Sequence, residues 1–197
     1  RFEVNENTLI PRPETEELVE WIVESTKHEA GSLKLNILDI GTGSGCIPIS
    51  LKKEIPNASV FTIDVSEKAL EMARKNALDH AVEVNFILQN ILEIDNLNDV
   101  TRSGVEVLPT SNFQLPASFD IIVSNPPYVR NLEKQEIKKN VLDYEPHLAL
   151  FVEDSDALLF YRKIAQLALT SLTPNGKLFF EINQYLGKET VALLENL

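Results

Sequence analysis

Short apolar runs alternate with amphipathic stretches along this chain. Leu35 to Ile40, Ala58 to Asp64, Val82 to Leu88 and Asp120 to Ser124 are strand-length runs bounded by turn residues. Between them, apolar positions recur at helical spacing. Glu14 to Ser25 carries Leu18, Trp21 and Ile22 on one face, and Pro11 and Pro13 delimit its start. Gly45 to Ile55 reads as a helix in which Pro48 is tolerable because it falls in the first turn. Ser66 is placed to cap a helix running through Asn76, with Leu70 and Ala73 inward. A helix over Asp154 to Leu172 comes next, then the turn Thr173-Pro174-Asn175-Gly176. A strand from Lys177 to Ile182 and a last helix from Gly187 to Leu197 complete the series. Residues 95–118 are polar, hold Pro109 and Pro116 and lack periodicity, which marks a surface loop or insertion.

Strands that alternate with helices predict an α/β fold, a doubly wound and mainly parallel sheet. Ligands of such sheets sit beyond the carboxyl ends of the strands, where strand order reverses. The 197 residues suit one domain, with 1–30 as a linking segment and helix. The chain starts at Arg1 and its one methionine is Met72, so a fragment of a longer protein is expected. No apolar stretch approaches a membrane span, and Cys46 stands alone, which fits a reducing cytoplasm. The formal net charge of -12 disfavours a stand-alone nucleic-acid binder, whose affinity rests largely on Lys and Arg contacts to phosphate. His28, His80 and His147 are scattered, so no metal site is expected.

Two loops carry the candidate chemistry. Asp39-Ile40-Gly41-Thr42-Gly43-Ser44-Gly45 joins the first strand to the next helix. Its alternating glycines differ from the G-x-G-x-x-G spacing of dinucleotide binders, which seats a pyrophosphate on a helix N-terminus. A phosphate-free cofactor, S-adenosylmethionine, suits it better, with a nicotinamide cofactor as the competitor. Asp64 ends the second strand, where an acid can accept hydrogen bonds from both ribose hydroxyls. Asn90 can reach an adenine edge, with Ile91 on the ring face; a polar loop residue beside a core aliphatic is the plain alternative.

The second loop is Asn125-Pro126-Pro127-Tyr128, directly after the apolar run Phe119 to Ser124. The prolines end the strand and stiffen the loop itself. The loop offers one side-chain amide, free backbone carbonyls and an aromatic face, which suit a planar nitrogen nucleophile with N–H groups to donate. An ordinary Asn-Pro turn is the bland alternative. Glu14 and Glu16 read as first-turn acids at a helix N-terminus, and Glu181 as a structural strand-end residue.

Four segments occur together: IPRPETE (Ile10 to Glu16), DIGTGSG (Asp39 to Gly45), NPPY (Asn125 to Tyr128) and YEPHLAL (Tyr144 to Leu150). In this order they resemble the HemK/PrmC family, which methylates the glutamine side chain of peptide chain release factors in translation termination. The resemblance implies a class I S-adenosylmethionine-dependent methyltransferase, Rossmann-like in fold, working as a cytoplasmic monomer on a protein substrate. It implies that Gly41, Thr42, Gly43, Ser44 and Gly45 lie along the methionine part of the cofactor and that Asp64 holds its ribose. Asn90, Ile91 and Asn125 complete the cofactor contacts. Asn125, Pro126, Pro127 and Tyr128 would hold the glutamine amide of a Gly-Gly-Gln loop, with Asn125, Pro126 and Tyr128 in the catalytic roles. A helical N-terminal domain and a terminal antiparallel strand pair, usual in the family, are absent from residues 1–197. The family often has an Asp and an aromatic where this chain has Asn90 and Ile91, and its counterpart of the 95–118 loop is shorter. The alternatives are a nucleic-acid amino-group methyltransferase, which shares NPPY, and more remotely a nicotinamide-dependent oxidoreductase, which has no use for it.

Overall fold

The computed structural model describes residues 1–27, 34–97, 100, 115–136 and 145–197. In its first half, α1 (Pro13–Thr26), β1 (Asn36–Ile40), α2 (Cys46–Glu54), β2 (Ser59–Asp64), α3 (Glu67–Asp79) and β3 (Asn85–Leu88) succeed one another. The second half holds β4 (Phe119–Ser124), β5 (Val129–Arg130), α4 (His147–Leu150), β6 (Phe151–Val152), α5 (Leu159–Ser171), β7 (Leu172–Phe180) and α6 (Gly187–Glu195). Five strands form one sheet in the order β3-β2-β1-β4-β7, and every pairing is parallel. The order turns back between β1 and β4, so the expected crevice lies at their carboxyl ends.

Alternation along the strands divides the core between the two faces of the sheet. Ile37, Ile121 and Val123 pack with Leu18, Ile22 and Leu51, on the side of α1 and α2. Leu38, Ile40 and Ile122 pack with Ile164 and Leu167 of α5 on the other. Ile37, Leu38 and Ile122 are wholly buried. Each such side chain contributes about 1.5–3 kcal/mol relative to staying in water. Both faces of β1 are therefore closed, and its end is a rigid place to start a binding loop.

Four expectations need correction. Trp21 does not join the core: it is 62% exposed, and its ring meets that of Phe179 at right angles, at 5.1 Å between ring centroids. The helix expected from Asp154 starts at Leu159, because Asp154–Asp156 forms a 3₁₀ turn. That turn is held by Asp156, whose carboxylate accepts two bonds of 2.9 Å from the Arg162 guanidinium. β3 starts at Asn85 rather than Val82, after Ala81 takes a left-handed conformation with φ 53°. Finally, the 173–176 turn lies inside β7, not before it. Pairing passes from Phe119 with Leu172 to Ile121 with Lys177, so the turn bulges out of the ladder. Most of the 95–118 loop, as well as His28 and Tyr144, lies outside the described residues. The small parallel ladder of β5 with β6, near the YEPHLAL segment, had no sequence signal.

Candidate functional site

The two candidate loops leave adjacent strands side by side. Ile40 pairs with Ser124, and the Ser124 hydroxyl donates to the Ile40 carbonyl at 2.6 Å. Gly41, at φ +91°, is the point of contact: a Cβ there would stand 3.5 Å from the Asn125 carbonyl oxygen. The Gly41 and Thr42 N–H groups both donate to the Ile63 carbonyl, at 2.8 and 3.3 Å, which curls the loop over β2. Gly45 has another task. At φ +82° it begins α2, and a Cβ would meet Ile49 Cδ1 at 2.9 Å and Ala73 Cβ at 3.0 Å. Its bare backbone thus lets α2 lie against α3.

A cavity of about 410 Å³ opens over these strand ends, a size suited to a small molecule. It brings together most of the candidate residues: Gly41 to Ser44, Asp64, Asn90, Ile91 and Asn125 to Pro127. Gly45 and Tyr128 are not on its wall. Gln89 and Phe160 are, although no sequence signal singled them out. Ile10, Pro11 and Thr15 of the IPRPETE segment also line it, with Pro146, Leu148 and Ala149 of the YEPHLAL segment. Arg12 and Glu145 tie these two segments by an ion pair of 2.6 Å, with the Glu145 side chain almost wholly buried.

Asp64 is half-used by its own chain. Its two carboxylate oxygens accept the Gly43 N–H at 2.9 Å and the Ser66 N–H at 2.8 Å. Each oxygen retains a lone pair for a further donor. Burial raises the Asp64 pKa despite these backbone bonds. Asp39 lies deeper. One of its oxygens accepts the Thr62 hydroxyl at 2.5 Å, Thr62 is 2.6 Å from the Thr42 hydroxyl, and Asp39 Oδ1 has no partner. Burial pushes its pKa up to about 7, against the Thr62 bond, and Asp64 adds to the rise. Asn90 is partly committed as a cap: its oxygen accepts the Leu92 N–H at 3.1 Å and its amide donates to Glu93 at 3.0 Å. One amide hydrogen is left for a ligand.

Tyr128 is engaged by residues of distant segments. Its hydroxyl donates to Glu181 Oε1 at 3.2 Å, and Thr15 donates to Glu181 Oε2 at 2.8 Å. The Asn183 amide donates to the Tyr128 carbonyl at 3.0 Å. Burial first, and then Glu181, raise the Tyr128 pKa, so the phenol stays a donor. Among the described residues no group of three His, Cys, Asp or Glu is placed to hold a metal ion. No helix among them is long and apolar enough to cross a membrane.

Residues 32–189 match the family model described as a methyltransferase domain. The chain is 63% identical over 194 residues to a release factor glutamine methyltransferase of Flavobacterium psychrophilum, covering 98% of this chain and 62% of that protein. It is 46% identical over 194 residues to a release factor glutamine methyltransferase of Bacteroides thetaiotaomicron, with the same coverage of 98% and 62%. The chain thus spans less than two thirds of the length of these relatives. Among solved structures, a SAM-dependent methyltransferase from Agrobacterium tumefaciens superposes with a TM-score of 0.59 at 16% identity, over 93% of this chain and 50% of the other. A ribosomal protein L11 methylase from Lactobacillus delbrueckii gives 0.58 at 19% identity, over 96% and 70%. At such identities the match concerns the fold alone, and it agrees with the parallel sheet expected from the sequence.

Proposed function

Since the chain belongs to the methyltransferase-domain family, we propose that residues 1–197 form the catalytic domain of a protein-glutamine methyltransferase. Its methyl donor is S-adenosylmethionine, and its acceptor is the glutamine amide in the Gly-Gly-Gln loop of peptide chain release factors. One observation carries the reading: the glycine loop and the Asn125 loop abut at Gly41 on a shared cavity, so that donor and acceptor are held by touching segments. The identity of 63% to a protein of that name supports the choice of acceptor. The acceptor places the reaction in the cytoplasm, where translation terminates, with no direct contact to nucleic acid.

The residues present fit the donor. Asp64 keeps acceptor capacity for two vicinal hydroxyls, and the missing Cβ of Gly41 and the open side of Gly43 leave room against the backbone. When bound, the cofactor supplies an electrophilic methyl group on a sulfonium. The protein's own part is to present the amide. An amide nitrogen is a poor nucleophile, because its lone pair is delocalised into the carbonyl. The Asn125 side-chain oxygen and the Pro126 carbonyl each accept one N–H of the substrate amide, which orients the nitrogen. Both dipoles also favour the positive charge that grows on it, through positioning and electrostatic preorganisation. After transfer the nitrogen is acidic and loses its proton to water, so no strong general base is needed.

The test uses the full-length protein with methyl-labelled S-adenosylmethionine. Label is expected in release factor and not in a version whose Gly-Gly-Gln glutamine is replaced by alanine. Label in added DNA with none in release factor would transfer the assignment to a nucleic-acid methyltransferase.

A further inference from the structure

Tyr128 belongs to the acceptor loop yet does not line the cavity, and the contacts it makes instead form a clamp. At one end its hydroxyl is bonded to Glu181, which Thr15 engages through its other oxygen. At the opposite end its carbonyl is bonded to Asn183, which is buried and also donates to Glu133 at 3.1 Å. Glu181 itself is fixed to β4, since its N–H donates to the Ser124 carbonyl at 3.1 Å. The Tyr161 hydroxyl donates to the Glu181 carbonyl at 3.2 Å. The residues just past β7 therefore grip both ends of the residue that closes Asn125-Pro126-Pro127. Two prolines cannot donate backbone hydrogen bonds, so the loop has few ways to hold itself in place.

We propose that Glu181 and Asn183 are positioning residues for the transfer, acting through Tyr128 to set the Asn125 and Pro126 acceptors against the glycine loop. Tyr128 is then the anchor of the loop rather than a surface for the substrate, and Thr15 links that anchor to α1. The proposal rests on the acceptor assigned above. Its premise is geometric: a displacement of about 1 Å in a positioning group can cost on the order of a hundredfold in rate.

The test is a double-mutant cycle in the full-length enzyme with release factor, reading kcat, KM, cofactor affinity and Tm. Glu181→Leu is expected to lower kcat by about thirtyfold and Tyr128→Phe by about tenfold. Cofactor affinity and the KM for release factor should stay within about twofold. Glu181→Gln, which can keep both contacts, should recover most of the loss. The double variant Glu181→Leu with Tyr128→Phe should be no slower than Glu181→Leu alone. Multiplied losses, or an unchanged kcat in Tyr128→Phe, would overturn the proposal. Hydrogen exchange at the Tyr128 and Val129 amides reads the clamp without any substrate. Faster exchange in Tyr128→Phe, with Glu181→Gln close to the parent, supports it even if Glu181→Leu does not fold, and unchanged exchange in Tyr128→Phe overturns it. A wild-type enzyme that leaves release factor unlabelled would remove the assigned acceptor, while the exchange result still decides the clamp.

Discussion

The glycine loop and the acceptor loop leave neighbouring strands at the same end of the sheet, but they are held in opposite ways. Gly41 to Gly45 is shaped by its own backbone. Its glycines take positive φ angles, and its N–H groups donate to Ile63 and Asp64 on the adjacent strand. Asn125 to Tyr128 contains the two prolines and is held by side chains remote in sequence: Asn183, and Glu181, which Thr15 engages in turn. A binding loop can thus be built into its local sequence, or suspended from distant parts of the fold. The first kind tolerates little substitution within itself. The second is vulnerable at residues outside the cavity wall, such as Glu181 and Asn183.

Single substitutions can break this contrast. Asn125→Ala should give the largest effect, lowering methyl transfer by roughly a hundredfold or more while cofactor affinity changes by only a few-fold. Near-normal turnover would refute the amide clamp. Asp64→Ala should do the reverse and weaken cofactor binding about tenfold or more, by calorimetry, because two hydroxyl acceptors are lost. A loss confined to kcat would count against that role.

Within the glycine loop, Gly45→Ala should cost about 3 kcal/mol, since the new Cβ meets Ile49 and Ala73 at a strained φ. Gly43→Ala should cost only about 1 kcal/mol, because nothing lies within 4 Å and only the left-handed backbone resists. Thermal unfolding of the two variants distinguishes a packing glycine from a purely conformational one.

The smallest effect is a pH slope. The Asp39 carboxyl titrates near pH 7 in the fold against 3.8 ordinarily, so the folded state binds its proton more tightly than the unfolded chain. Its contribution is therefore fullest below about pH 4 and is lost as pH rises through 7. Asp39→Asn should flatten that decline, and Tm measured at pH 5 and pH 8 should differ less in the variant than in the parent. Parallel profiles would show that Asp39 is not the titrating group.

Legibility in the sequence divides along the same line. The glycines, Asp64 and the strands that present them were legible, because short-range patterns specify them. So was the Asn125 loop, because prolines end a strand whatever surrounds it. Tyr128 was legible as a candidate but not in its orientation, which depends on Glu181, a residue far along the chain. Trp21 misled for a related reason. Helical spacing placed it beside Leu18 and Ile22, but the stripe that meets the sheet is narrower than the apolar set, and its ring stays at the rim. The bulge in β7 was hidden because Thr173-Pro174-Asn175-Gly176 carries every mark of a turn, and only pairing with β4 on either side makes it part of a strand.

The parallel pairing of β1 with β4 also has a cost during synthesis. Ile40 and Ser124 are 84 positions apart, so β1 can pair with β2 long before its other neighbour leaves the ribosome. At about 5–20 residues per second that delay lasts roughly 4–17 s. Throughout it, the strand that will become the middle of the sheet is an open edge, with Ile37 and Leu38 not yet covered on both sides. The central strand of the finished sheet is therefore open to wrong partners while the protein is being made.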